Sequence, residues 1–305
     1  MVDRSMRELR IHGEKNFPVA AYDWYGPDGM AGDFVLECHW HEGWELFAIY
    51  EGCAQFSING KKRLMREKDV VLIPGGSLHT AESVDGGICR YRSIVFAMPM
   101  LFGLIDDVVH KKYIQPLYDN PINAEIFVTG DTVSPSCGAA VWECFQKAFI
   151  AVGEHPESYE LLAKAYLYEL IAYLFPLINL SERTNAERRL RNSTQCVKQI
   201  IQYISENYQQ QITITQLADR VNMSVGHFGK LFRQMTSYSP IDYLIILRLS
   251  KAADRLMSTN ETILNIALDV GFNNIGYFIR AFSQKYGCTP RQYRRLTRCD
   301  YSEIV

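Results

Sequence analysis

Three histidines and a glutamate are spaced as if to share one site. In Cys38-His39-Trp40-His41-Glu42-Gly43-Trp44-Glu45 the two imidazoles are two residues apart, and on a β-strand such neighbours project from the same face. Glu45 lies an even number of positions further on and shares that face if the strand continues. The run Pro74-Gly75-Gly76-Ser77-Leu78-His79 supplies a third imidazole that a neighbouring strand can set alongside. Three imidazoles and a carboxylate suit a divalent transition metal such as Zn, Mn, Fe or Ni. The same four side chains can instead line a pocket for a small-molecule effector, or simply hydrogen-bond within the fold. Trp24, Tyr25, Trp40, Trp44, Phe47 and Phe56 can wall a site for a sugar-like or aromatic ligand. Trp24, Trp44 and Phe56 are the effector contacts expected among them. Arg90 and Arg92 flank a strand and can pair with an anionic ligand.

A different chemistry belongs to the C-terminal third. LADRVNMSVGHFGKLFRQMTSYSPIDY (217–243) recurs as IALDVGFNNIGYFIRAFSQKYGCTPRQY (266–293). Ala218 matches Ala267 and Val221 matches Val270. After one inserted residue Phe228 matches Phe278, Phe232 matches Phe282, Pro240 matches Pro290 and Tyr243 matches Tyr293. Internal self-similarity of this kind marks a repeated supersecondary unit, and each copy has the parts of a helix-turn-helix. In the first, Thr213 and Gln216 form a capping-box pattern, Asn222-Met223 turn the chain, and Ser224 caps a second helix with Phe228, Leu231 and Phe232 inward. In the second, Thr262 caps, Gly271 stops the first helix, and Asn273 or Asn274 caps the next. Ser239-Pro240 starts a connecting helix that runs to about Met257.

The charge agrees with this division. Residues 1–180 hold 15 Lys/Arg against 24 Asp/Glu, whereas 181–298 hold 17 against 8. A basic half joined to an acidic half points to nucleic-acid binding by the basic part. No run of about 18 apolar residues exists, and the charged start, Met1 to Glu14, does not resemble a signal peptide. A soluble, cytoplasmic protein without a membrane partner is expected. The eight cysteines are scattered without a CxxC pair, so no disulfide framework is read from them.

The elements that must position these groups change period along the chain. Residues 1–100 are strand formers broken by turn signals such as Asn59-Gly60, Gly75-Gly76 and Gly86-Gly87, the pattern of a β-sandwich or barrel. From Cys137 to Val152 and from Tyr159 to Leu177 apolar residues recur at helical spacing. The second of these helices is apolar over a wide arc, which calls for partners on more than one side, within the subunit or in a homodimer. The polar stretch 179–193 reads as a linker.

The last hundred residues resemble the DNA-binding domain of the AraC-type transcriptional regulators. The resemblance rests on ITITQLADRVNMSVGHFGKLFRQ, SPIDYLIILRLSKAADRLM and ILNIALDVGFNNIGYFIRAFSQKYGCTPRQYR. It implies double-stranded DNA as a partner, with RNA polymerase as a possible second. By matching motif the base-reading positions fall on Gly226, Gly229 and Lys230 in the first unit and on Ile275, Gly276, Ile279 and Arg280 in the second. His227, Arg233 and Asn274 complete the expected DNA contacts. Arg280 is the best donor for a bidentate contact to guanine. Lys285, Arg291, Arg294, Arg295 and Arg298 suit phosphate. The histidine motif is similar to that of the cupin barrel: HxH, three residues, Glu, six residues, Gly, then PxGxxH. It departs at Lys68, where glycine is usual, and at Ser83, where asparagine is usual. In cupin enzymes the positions of His39, His41, Glu45 and His79 are metal ligands, whereas in the regulators the same barrel more often holds an effector without metal.

The expected architecture is therefore α+β with two domains. A cupin-like effector-binding barrel (1–135) with flanking helices is followed by a helical dimerisation region (136–180), a linker (181–193) and an all-α DNA-binding domain (194–298). Its helix-turn-helix motifs fall at about 213–234 and 262–285. The expected function is a sequence-specific regulator, not an enzyme, responding to a sugar or related metabolite and requiring no cofactor. The alternative is a cupin metalloenzyme with an appended helical module.

Overall fold

The computed structural model describes residues 6–26, 34–84, 87–103, 107–119, 126–178 and 185–299. Gly86, the 181–184 part of the expected linker and the side chains of Tyr25 and Arg298 lie outside them. The chain divides into two compact units, one of Arg7–Asp28 with Asp33–Thr194, the other chiefly Gln195–Val305.

The first unit is an antiparallel eight-stranded sheet: β1 (Val19–Gly26), β2 (Phe34–His39), β3 (Trp44–Ile58), β4 (Lys61–Arg66), β5 (Val70–Ile73), β6 (His79–Ser83), β7 (Cys89–Phe96) and β8 (Ile126–Val128). The long β3 serves two sets of partners. Its first half pairs with β5 and β7, and its second half with β4 and β6. The Asn59-Gly60 turn closes the β3–β4 hairpin with both residues at positive φ, 49° and 80°, as the tight hairpin turn requires.

One irregularity in β3 decides which side chains point inward. Glu45, Phe47 and Ile49 share a face in the first half, but Ala54, Phe56 and Ile58 share the corresponding face in the second. The register shifts between Ile49 and Glu51 against β7, so one extra residue flips the alternation. Gly52 next to the shift has φ +80°, and a Cβ there would come within 2.1 Å of the Ile88 carbonyl oxygen. Only glycine fits. Lys68, where the motif usually has glycine, sits at φ +68°, so this chain keeps the left-handed turn at a steric cost on the order of 1 kcal/mol.

One face of the sheet buries Phe47, Phe56, Met65, Ile73 and Tyr91. The other face buries Trp44, Leu46, Val70, Ile94 and Phe96 against two helices. These are α2 (Pro135–Glu154), capped by Ser134, and α3 (Tyr159–Leu174); the short α1 (Gln115–Asp119) precedes them. On α3 the buried stripe is Ala163, Leu167, Leu170, Ile171 and Leu174. Leu161, on the same apolar helix, is 73% exposed.

From Asn185 onward the described residues form helices and the short turns between them. The polar stretch expected as a linker is helical from Asn185: α4 spans Asn185–Asn207, because residues such as Arg188, Arg189, Leu190 and Arg191 have good helix propensity and no breaker intervenes. The two repeats follow as α5 (Ile214–Arg220) with α6 (Val225–Thr236), and α8 (Ile263–Asp269) with α9 (Ile275–Tyr286). Between them runs α7 (Pro240–Ser258), and α10 (Pro290–Cys299) ends the unit. Thr213 makes the full capping box with Gln216. Ser224, Ser239, Thr262 and Asn274 each accept from a backbone N–H three residues on. Phe228, Phe232, Phe278 and Phe282 are fully buried. Among the described residues no helix is long and apolar enough to cross a membrane.

Candidate functional site

The helix-turn-helix geometry leaves one face of each second helix bare. On α6, Gly226, His227, Lys230 and Arg233 are exposed; on α9, Asn274, Ile275, Ile279 and Arg280 are exposed, and Gly276 is half-buried. The buried phenylalanines fix the opposite faces, so these positions are presented outward by the helix period. Asn274 is already engaged, because its side-chain oxygen caps α9 by accepting from Tyr277 N–H at 2.9 Å. Arg294, expected on phosphate, donates to the Glu261 carbonyl oxygen at 2.6 Å and is tied to the fold.

The glycines of α6 are not demanded by packing. A Cβ at Gly226 meets nothing within 4 Å, and one at Gly229 meets only Ile214 Cδ1 at 3.8 Å. Gly229→Ala is therefore expected to stabilise the free protein by about 0.5–1 kcal/mol, the helix-propensity difference, read from the urea midpoint. A loss of stability would show that the site is crowded. The same variant assayed on DNA tests whether the missing side chain serves close approach to the duplex; unchanged affinity would remove Gly229 from the contact surface.

Residues absent from the sequence expectations hold this unit together. Arg248 on α7 is buried, and it donates from Nε to the Tyr208 carbonyl and from a terminal nitrogen to the Gln210 carbonyl, both at 2.7 Å. Arg255 pairs with Glu261 and with Asp269, the latter at 2.8 Å. A charged residue amid an apolar helix pattern was the available signal for both.

In the sheet domain the four motif residues converge. His39 faces His79 across the β2–β6 pairing, with ring centroids 4.2 Å apart. His41 lies just beyond β2, its ring 5.6 Å from His39 and 5.3 Å from His79. Glu45 Oε2 is 3.2 Å from Nε2 of both His41 and His79. All four potential ligand atoms lie within 4.8 Å of one another. The loops around them are fixed by backbone bonds. Gly76 N–H donates to the His41 carbonyl at 2.7 Å, and Asn59 bonds both ways with Leu78, beside His79.

Each imidazole is oriented in the same manner. Nδ1 of His39, His41 and His79 lies 2.8–2.9 Å from the carbonyl oxygen of Glu37, Gly43 and Ser77 respectively. A carbonyl only accepts, so each Nδ1 carries the proton there; a neutral ring then turns an Nε2 lone pair toward the cluster, whereas the His41 hydrogen bond to the Glu45 carboxylate requires a proton on Nε2 as well. Metal-ligating histidines are held in this way by an outer shell. His79 Nε2 is buried without a hydrogen-bond partner, despite its proximity to Glu45. Burial, reinforced by His79, pushes the His39 pKa down to about 3. Burial also opposes charge on His41, but the hydrogen bond and negative charge of Glu45 outweigh it and raise the pKa. Burial opposes ionisation of Glu45 too, yet His41 and His79 hold it well below the usual carboxylate range. Without metal, Glu45 is an ionised carboxylate among imidazoles.

The aromatic expectations fare unevenly. Trp24 is half-buried and stacks on Tyr91 at 5.5 Å, on the same side as the cluster. Phe56 is fully buried against Phe47 at 4.6 Å and is core. Trp44 lies on the opposite face from Glu45, packed with the helices, because adjacent strand residues alternate. The anionic-ligand expectation for Arg90 and Arg92 also meets a competitor: Asp23 accepts from both, at 2.9–3.1 Å.

Comparison with known proteins decides the family. The model of the AraC-like ligand binding domain matches residues 23–171, and a helix-turn-helix domain model matches 217–296. The chain belongs to the AraC family of transcriptional regulators. As an AraC-family protein it is a DNA-binding transcriptional regulator with a ligand-binding domain. It is 25% identical over 301 residues, 97% of this chain and 98% of the other, to the uncharacterized HTH-type transcriptional regulator YdeC of Bacillus subtilis. It is also 25% identical over 268 residues, 85% of this chain and 84% of the other, to the melibiose operon regulatory protein of Escherichia coli. A solved structure, the C-terminal domain of the response regulator AraT from Geobacillus stearothermophilus, shares 34% identity. It covers 33% of this AraC-family chain and 84% of its own, with a TM-score of 0.32.

Proposed function

We propose that this regulator is controlled by a sugar or similar polyhydroxylated effector bound in its sheet domain, and that His39, His41, Glu45 and His79 hold a divalent transition metal there. The observation that carries the metal reading is the outer shell: three imidazoles pinned by backbone carbonyls with Nε2 converging on a buried carboxylate. A protein can keep an unpartnered buried nitrogen such as His79 Nε2 when an ion takes up its lone pair. The melibiose relative supports a sugar as the effector class. The relatives along nearly the whole chain are regulators, which favours a regulatory over a catalytic use of the centre. Effector control requires different ligand affinity in two states of the protein. The exposed residues of α2 and α3, Ile150 and Leu161 among them, support a homodimer through these helices.

The DNA reading is tested on the upstream DNA of the chain's own gene. Binding should weaken steeply as salt rises, because neutralised phosphates release counterions. Arg280→Ala should relax sequence preference, costing about 1–3 kcal/mol on the preferred site and little elsewhere. Lys230→Ala should weaken all sequences alike and reduce the salt slope by about 1. If the two variants behave alike, the second unit does not dominate sequence readout. The metal reading is tested by elemental analysis of protein purified without added metal, with His39→Ala as the control that removes the ion.

A further inference from the structure

Two side chains from the segment preceding β1 reach the same cluster, and nothing in the histidine motif anticipates them. The segment is docked on the sheet domain: Glu8 N–H donates to the Trp40 carbonyl at 2.9 Å, Arg7 forms a parallel bridge with Trp40, and the Arg7 guanidinium lies 3.7 Å from the Glu42 carboxylate. From this position Glu8 Oε2 is 3.7 Å from His39 Nε2 and 3.9 Å from His12 Nε2. His12 Nδ1 is 2.8 Å from the Tyr22 hydroxyl, and its ring centroid is 5.1 Å from that of His41. Its Nε2 is buried with no hydrogen-bond partner. The unpartnered nitrogen of His12 thus borders the space that Glu8 enters, beside His41.

We infer that Glu8 is a fifth, exchangeable ligand of the metal centre. The inference rests on the metal reading of the four motif residues. Donors about 2.1 Å from one ion lie about 3 Å apart when adjacent and about 4.2 Å apart when opposite; Glu8 stands 3.7 Å from the His39 donor, and with His12 it forms a second group of potential ligand atoms, within 4.8 Å of one another, that shares His41 with the first. Charge agrees: one divalent cation balances the two carboxylates, Glu8 and Glu45, among otherwise neutral donors. Glu8 is also the most exposed of the five, its side chain 30% accessible against 1–18% for the others. It is therefore the ligand that an incoming hydroxyl or carboxylate oxygen displaces most readily. The polyhydroxylated effector would then reach the ion in exchange for Glu8.

The test uses full-length protein stripped of metal and titrated with Co2+ alone, followed by calorimetry and by the visible absorption of the bound ion. One Co2+ per chain is expected for the wild type. Glu8→Gln should keep that stoichiometry, weaken binding by about 10- to 100-fold, and change the intensity and position of the absorption bands as a ligand oxygen is lost. Glu14→Gln, which removes an exposed carboxylate of the same segment outside the cluster, should leave both unchanged. Thermal melts of the stripped proteins should coincide, since Glu8 is partly exposed. Wild-type-like affinity and spectrum in Glu8→Gln overturn the inference while the four-residue centre stands. Failure of the wild type to bind Co2+ overturns the centre and the inference with it.

Discussion

Methionine at Arg248 should destabilise the DNA-binding unit by about 1–3 kcal/mol. The guanidinium bonds the carbonyls of Tyr208 and Gln210 at 2.7 Å each, and these lie just past the end of α4 at Asn207. Tyr208 is half-buried and Gln210 exposed, so water takes up part of the loss and each of these hydrogen bonds contributes about 0.5–1.5 kcal/mol. Methionine keeps the apolar stem and removes only the donors. Lysine should rescue in part, because one ammonium cannot present the planar fork that spans two acceptors. Gly271 is coupled to the same arrangement. It has φ +96°, and a Cβ there would stand 2.9 Å from Arg248 Cζ and 2.8 Å from the Gln209 carbonyl oxygen, so Gly271→Ala should be comparably damaging. Urea unfolding followed by far-ultraviolet circular dichroism is the measurement. A change below about 0.5 kcal/mol for Arg248→Met would mean that water replaces the guanidinium without cost.

Alanine at His79 should lower the affinity for a divalent transition metal by more than about 100-fold. Loss of an outer-shell partner alone costs about 10- to 100-fold at such sites, and His79 is placed to be a direct ligand. The residue is buried at the meeting of β6 with β2 and β3, so no solvent-borne group takes over its place without rearrangement. A metal that binds only the folded state stabilises it by about 2.7 kcal/mol at a hundred times its dissociation constant. Saturating metal should therefore raise the melting temperature of the wild type, and a chelator should reverse the rise. In His79→Ala both responses should vanish. Equal metal-induced shifts in the two proteins would place the ion elsewhere.

The two halves of this chain differ in how much of them could be read without a fold. The DNA-binding unit is built from short-range rules. Thr213 with Gln216, Ser224, Ser239 with Pro240, Thr262 and Gly271 act on backbone within a few residues, and the apolar spacing in each repeat names the buried phenylalanines. Of the two candidate caps for α9, the structure uses Asn274, while Asn273 accepts from Gln211. The helical conformation of the polar stretch 185–193 is not legible in its charged, Arg-rich run, because the apolar residues that anchor its helix, Val197, Ile200, Ile201 and Ile204, come only later.

The sequence by itself determined the caps, the buried stripes and the outward faces of the recognition helices, and it set His39, His41, Glu45 and His79 on the path to one site. The caps, stripes and outward faces depend on neighbours within a turn of helix, whereas the four motif residues fall on β2, the loop after it, β3 and β6 rather than on the one continued strand expected, and meet through sheet pairing. Tertiary structure decided the rest. The register shift near Gly52 reverses the alternation of β3, which seals Phe56 into the core, and the strand alternation places Trp44 beneath the helices. Docking of the segment before β1 on Trp40 brings Glu8 and His12 to the histidines. Long-range pairing has no local signature: a strand's partner and register are chosen by the burial of whole faces, and a residue thirty positions away carries no mark of the neighbour it will meet.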